Sequence, residues 1–248
     1  MNLCSHSLFS KNSRKGRLPL PALLTLSALI LGLGVAASSA RGTTAKAARK
    51  TARAVESLGA PVKAYGSKDA PITMEVFSDY ECPSCRNLYE NTLRPMIGDY
   101  VASGKVYLIH RDFPLPMHKY GFEAARWANA AARVGEFPAV EAALYDNQDS
   151  WGADGNIEKY VSAAMSTAEF KRVQKQMEGC TAPPGAAAQG HGCPLDGYIE
   201  SDREMGMRIP VQATPTYVIT YKGQHLPAAT GFVSWPILKQ FFDSLLSQ

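Results

Sequence analysis

The stretch Phe77–Glu90, FSDYECPSCRNLYE, decides how the chain is read. It holds two of the five cysteines, Cys82 and Cys85, with Pro83 and Ser84 between them. The run before it, Ile72 to Phe77, is short, apolar and β-rich, the pattern of a buried strand. Pro83 stands where a helix would begin, and proline is well tolerated in a first turn. Leu88, Leu93, Met96, Ile97 and Tyr100 then recur at helical spacing to about Ser103. Pro95 is expected to kink that helix and Gly104 to stop it. A second apolar run, Val106 to His110, reads as another buried strand. Strand, helix and strand with a short return imply a parallel pair joined by a right-handed crossover.

A Cys-x-x-Cys pair that leaves a strand and enters a helix has a specific consequence. Its first sulfur lies at the helix N-terminus, where unpaired N–H groups and the helix dipole stabilise negative charge. The thiolate is the nucleophile, so a lowered pKa makes that cysteine reactive. Cys82 is assigned as the attacking thiol and Cys85, one turn in, as the resolving thiol, with Pro83 and Ser84 modulating the potential. Structural zinc is a rival reading, with Cys82, Cys85, Cys180, Cys193 and His191 as ligands. However, Cys180, His191 and Cys193 do not follow a usual zinc spacing. A purely structural Cys82–Cys85 staple would close a tiny loop and add little by chain entropy.

From Met117 to about Met177 the pattern is helical, with breaks at Gly135, Gly152, Gly155 and Ser166. Trp127 and Trp151 read as core. A Gly/Pro/Ala-rich segment follows, flanked by Cys180 and Cys193. These two either close a structural disulfide that tethers the segment or form a second redox pair passing electrons to Cys85. A helix at about 199–207 leads to IPVQATPTYVITYKGQHL, a β-hairpin turning at Lys222-Gly223. The run PILKQFFDSLL closes the chain as an amphipathic helix. The order β-α-β, helices, β-β-α is that of one α/β sheet with a helical block inserted at about 117–207. Asp79 and Glu81, close to the cysteines in sequence, read as solvated acids, with a catalytic role as the alternative. His110, His118, His191 and His225 read as ordinary polar residues, with His118 near the start of the inserted helices and so a candidate to flank the active-site surface.

The chain carries 26 basic and 22 acidic residues, but they are unevenly placed. Nine of the basic residues lie in the first 53, and no acid precedes Glu56. From residue 54 onward there are 17 basic against 22 acidic residues, a balance that leaves no footprint for nucleic acid. The basic N-terminus precedes an apolar run, Leu18 to Ala37, and the small residues Ser38 to Ala40. That order describes a secretory signal, with an uncleaved membrane anchor as the alternative. Residues 1–40 are therefore read as signal or anchor, 41–60 as an Ala-rich basic linker, and 61–248 as the folded domain. Export would put the cysteines where disulfides persist.

FSDYECPSC, then RDFPL at Arg111–Leu115, the helical insertion and ATPTYVI at Ala213–Ile219 together resemble the DsbA-like thiol:disulfide oxidoreductases of exported type, with a thioredoxin fold. The resemblance covers about Pro61 to Leu246. It implies a cis bond at Thr214-Pro215, which lends backbone to an extended substrate. It implies no cofactor and no metal. Its expected partners are reduced, unfolded exported proteins and a membrane quinone-linked thiol oxidase that restores the disulfide. Many relatives also carry a buried Glu six positions before the first cysteine; that position here is Val76, and the adjacent Glu75 faces the other side of the strand.

The function expected is an exported, periplasmic or otherwise extracytoplasmic oxidoreductase that introduces disulfides through Cys82 and Cys85. The alternatives are a reductase or isomerase of the same fold, or a non-catalytic thioredoxin-fold chaperone.

Overall fold

The alternating burial of Ile72, Met74 and Val76 against Thr73 and Glu75 defines a strand whose two faces meet different surroundings. This strand is the centre of the fold in the computed structural model, which describes residues 63–180 and 192–248. The expected signal or anchor, the linker, Cys4 and His191 lie outside the described residues.

Strand β1 is Ala64–Tyr65 and β2 is Ile72–Ser78. A helical run, α1, covers 83–101, and β3 is Val106–Asp112. Five helices follow: α2 Gly121–Ala132, α3 Phe137–Asp146, α4 Gln148–Asp154, α5 Ile157–Ala163 and α6 Thr167–Gln176. After the undescribed segment come α7 Asp196–Arg208, β4 Thr216–Tyr221, β5 Gln224–His225, β6 Ala229–Thr230 and α8 Trp235–Leu246. Among the described residues these strands form one sheet in the order β1-β3-β2-β4-β5, with β6 also on β4. β2 and β3 run parallel from Ile72↔Val106 to Ser78↔Asp112, and β2 and β4 run antiparallel. The mixed sheet with helices between its two halves is the architecture expected from the sequence. β1 and β6 had no sequence signal, because two residues are too few for a period.

Three local features follow from residue chemistry. Lys222 and Gly223 both have positive φ, 48° and 76°, the geometry that a two-residue hairpin of right-twisted strands demands. Pro95, expected to kink α1, lies inside the helical run at its most irregular part. The α-helical Arg94–Met96 is flanked by π-helical turns at Tyr89–Leu93 and Ile97–Val101. The wider turn before Pro95 makes room for its ring and its missing N–H. Gly152, expected to be a break, lies inside α4, and only Gly155, with φ 71°, ends that helix.

The main core lies on one side of the sheet, where Ile72, Met74 and Val76 meet α1, α8 and the helices that follow β3. Trp127 and Trp151 are buried in it. On the other side Phe77 and Val218 pack with Phe113 and Val211. There α7 comes so close that a Cβ at Gly206 would sit 2.6 Å from the Phe113 ring. An ionic group, buried at Lys63 and Asp112, links the two sides at the end of the sheet. Lys63 pairs with Asp112 and Asp202, and Arg111 bridges Asp202 and Glu75. Buried charges are tolerated when paired in this way. The disulfide Cys180–Cys193 links the end of the inserted helices to the start of α7. Arg126, fully buried, donates to both carboxylate oxygens of Asp196 and to the Cys180 carbonyl, so the same junction is held twice.

Candidate active site

β2 ends at Ser78, and the chain must turn before α1 can begin. Asp79, Tyr80 and Glu81 make that turn. The Cys82 amide donates to the Asp79 carbonyl at 3.1 Å, and the Glu81 amide to Asp79 Oδ1 at 2.9 Å. Cys82 is left in extended conformation as the N-cap, with Pro83 in the first turn. The Cys82 carbonyl accepts from the amides of Cys85 and Arg86 at 3.0 and 3.1 Å. The first sulfur therefore faces the unpaired amides of a helix start, as the spacing of the motif predicts.

The two free thiols sit in unequal surroundings. Cys82 is lowered from the ordinary thiol value of 9.0 to about 5. The main cause is a hydrogen bond from the Cys85 thiol; the Thr214 side chain and the amides of Cys85 and Ser84 add to it, against the opposing effect of burial. Cys85 is pushed well above the thiol value, first by burial and then by its bond to Cys82. One thiol thus ionises readily and its neighbour holds its proton, the division of labour that thiol exchange needs. Pro83 and Ser84 bring no charge to the turn, and Ser84 contributes its amide alone.

Thr214-Pro215 is cis and lies across from the cysteines. When protonated, Cys82 donates to the Thr214 carbonyl at 3.4 Å. Cys82, Cys85, Thr214 and Pro215 thus converge at one end of the sheet, whereas Cys180 and Cys193 are bonded to each other. That bond leaves neither sulfur free to ligate zinc.

Several neighbours carried no sequence signal. Gln148, the first residue of α4, is buried and donates to the carbonyls of Tyr80 and Cys82 at 2.6 and 3.0 Å. It clamps the turn from the far side. Ser78 Oγ shares a 2.8 Å hydrogen bond with Tyr145 Oη, beneath Cys85. Asp79 is not a solvated acid. It is 1% exposed, and its carboxylate accepts from the amides of Glu81 and Leu115 and meets His118 Nδ1 at 2.6 Å. Its burial follows from the turn, which folds it inward under α2. Glu81 is also engaged, accepting from the Tyr120 amide at 2.5 Å. His110 is buried too, bonded to Glu141 at 2.9 Å and stacked on Tyr80. Glu75 points to the opposite face and pairs with Arg111 at 2.5 Å, away from the sulfurs.

A family model described as thioredoxin matches residues 60–225. Among curated relatives, the chain is 31% identical over 182 residues to the Na(+)/H(+) antiporter NhaA 3 of Salinispora tropica, covering 73% of this chain and 25% of that one. It is 26% identical over 165 residues to NhaA 1 of Mycolicibacterium gilvum, covering 65% and 24%. The chain thus spans about a quarter of the length of these curated relatives. Among solved structures it is similar to Wolbachia pipientis alpha-DsbA1, with a TM-score of 0.58 at 18% identity over 75% of this chain and 91% of that one. For Pseudomonas aeruginosa DsbA2 the score is 0.53 at 23% identity, over 74% and 93%. For oxidised BdbD of Bacillus subtilis it is 0.54 at 18% identity, over 77% and 97%. The family match takes in the central strands, the Cys-Pro-Ser-Cys turn and the cis proline together, and the chain belongs to the thioredoxin family, in the form of that fold seen in DsbA-type structures.

Proposed function

We propose that this protein is an extracytoplasmic thiol:disulfide oxidoreductase that introduces disulfides into reduced, unfolded client proteins. One observation carries the reading: Cys82 is lowered to about 5 while Cys85 beside it is pushed up. A stabilised thiolate favours the reduced protein, and a protein that prefers to be reduced is an oxidant of others.

In the oxidised protein Cys82 and Cys85 are joined. A client thiolate attacks the Cys82 sulfur, the Cys82–Cys85 bond breaks, and the electron pair leaves with Cys85. Cys85 then takes up a proton, as its raised pKa favours. A second client thiolate attacks the client sulfur of the mixed disulfide and forms the client's own disulfide. Cys82 departs as a thiolate, a good leaving group because its pKa is low. The backbone around Thr214-Pro215 is the surface for the client's extended chain. A membrane quinone-linked thiol oxidase accepts the two electrons and restores the disulfide. The basic, then apolar N-terminus supports export, as a cleaved signal or a membrane anchor. Cys180–Cys193 serves as a structural tie.

The test is the equilibrium reduction potential of Cys82–Cys85 against glutathione, with Cys180 and Cys193 replaced by alanine. A value towards that of DsbA, about −120 mV, supports the donor reading. A value towards that of thioredoxin, about −270 mV, overturns it in favour of a reductase. The absence of any redox couple leaves a binding module.

A further inference from the structure

The Cys-Pro-Ser-Cys turn has no charged side chain between its cysteines, yet a titratable pair lies against it. Asp79 is buried at the base of the turn, with its amide 3.5 Å from Cys85 Sγ and its carbonyl bonded to the Cys82 amide. His118 comes from the segment between β3 and α2, 39 positions further along the chain, and its Nδ1 is 2.6 Å from Asp79 Oδ2. The carboxylate is held for this contact. Oδ1 accepts from the Glu81 amide and Oδ2 from the Leu115 amide. The space it occupies exists only because residue 121 is glycine, since a Cβ there would lie 2.5 Å from Asp79 Oδ1. A carboxylate on Nδ1 fixes the ring so that Nε2 is its free nitrogen.

We propose that Asp79 and His118 form a charge pair that holds an imidazolium at the base of the Cys82–Cys85 turn and so supplies, from outside the Cys-Pro-Ser-Cys sequence, electrostatic support for the attacking thiolate. His118 is the charged group and Asp79 the positioning residue that keeps it protonated. This inference rests on the assignment of Cys82 and Cys85 as a redox pair.

The charges around the ring agree with it. Asp79, Glu81 and the Cys82 thiolate all favour the protonated ring and raise its pKa, against partial burial. Lys119 is the neighbouring cation, fully exposed and turned onto the Tyr120 ring. On the Asp79 side, Cys85 and Tyr145 both hold their protons. Coupling between His118 and Cys82 must be reciprocal: if the thiolate favours the imidazolium, the imidazolium favours the thiolate by the same free energy.

The experiment titrates both partners. The His118 ring is followed by NMR in the oxidised and reduced full chain. Its pKa is expected to be higher in the reduced form, where Cys82 is a thiolate, than in the disulfide form, where it is neutral. The Cys82 thiolate is then followed by its ultraviolet absorbance in wild type, His118→Gln and His118→Lys. His118→Gln is expected to raise the Cys82 pKa by about one pH unit, within the range an opposite charge at short distance supplies. His118→Lys, which restores a cation, is expected to recover part of that change. An unchanged Cys82 pKa in His118→Gln, or the same His118 pKa in both redox forms, overturns the inference. Those outcomes leave the redox reading intact. That reading fails separately, if wild type has no measurable couple. Asp79→Asn is the less informative variant, because it also disturbs the turn.

Discussion

Cys82 and Cys85 are chemically identical residues that the fold makes different. Cys82 meets amides, a neighbouring thiol and Thr214; Cys85 meets the buried end of β2. In the reduced protein, alkylation of Cys82 should therefore rise with pH about a midpoint near 5, with Cys85 unreactive until the chain unfolds. Mass spectrometry after brief exposure to iodoacetamide at a series of pH values checks this. A single midpoint near the ordinary thiol value would contradict the asymmetry. The position of Cys82 at a helix start was legible in the sequence, because the strand, the motif and the proline stand in one continuous stretch. Asp79 was read as solvated although it lies in the same stretch. Nothing local shows that the turn folds its carboxylate under Gly121, a residue 42 positions away.

At the scale of elements, the helix that had no sequence signal carries a supporting residue of the site. The α4 stretch was read as a break between helices because it holds Gly152, yet its first residue, Gln148, ties the Tyr80 and Cys82 carbonyls. Gln148→Ala leaves two buried carbonyls without that donor. A loss of about 1–3 kcal/mol is expected, measurable by urea denaturation. A slower rate of thiol:disulfide exchange should accompany it, since the turn that presents Cys82 is no longer clamped. The Cys180–Cys193 bond spans 13 positions and belongs to the junction with α7. Replacing both cysteines with alanine should cost about 3 kcal/mol by loop entropy. The same variant should keep its oxidation rate if the bond is a tie, and lose it if the bond relays electrons. The central strands, α1, the hairpin and the last helix were legible, because each has a clear period and a clear turn residue. β1 and β6 were not, because sheet pairing alone creates them.

For the whole molecule, the ionisation of Cys82 couples redox state to stability. Its folded pKa of about 5 lies below the ordinary thiol value of 9.0. Below the lower value the thiol is protonated in folded and unfolded chains alike, and the effect vanishes. Between the two values the unfolded chain binds more protons, so the stability of the reduced form rises with pH. The effect is complete above the higher value and is lost as pH falls through the lower one. The oxidised form has no such group. Denaturation of each redox form across this range should show the reduced form gaining on the oxidised form as pH rises, and parallel curves would refute it. The ionic group of Lys63, Asp112, Asp202, Arg111 and Glu75 also belongs to this scale, since it draws on β1, β2, β3 and α7 together or on residues beside them.

What the sequence determined by itself is what short-range chemistry encodes. Period and turn residues specify the strands and most helices. The Cys-Pro-Ser-Cys turn after a strand specifies a pair of thiols at a helix start, and Thr-Pro before a strand points to the segment that faces it. What only the tertiary structure decided is which distant groups meet. Whether a carboxylate is solvated or buried, whether a histidine finds it, and whether a glutamine reaches two carbonyls all depend on the packing of separate elements. Such contacts arise when the inserted helices close over the end of the sheet, and no local period in the chain records them.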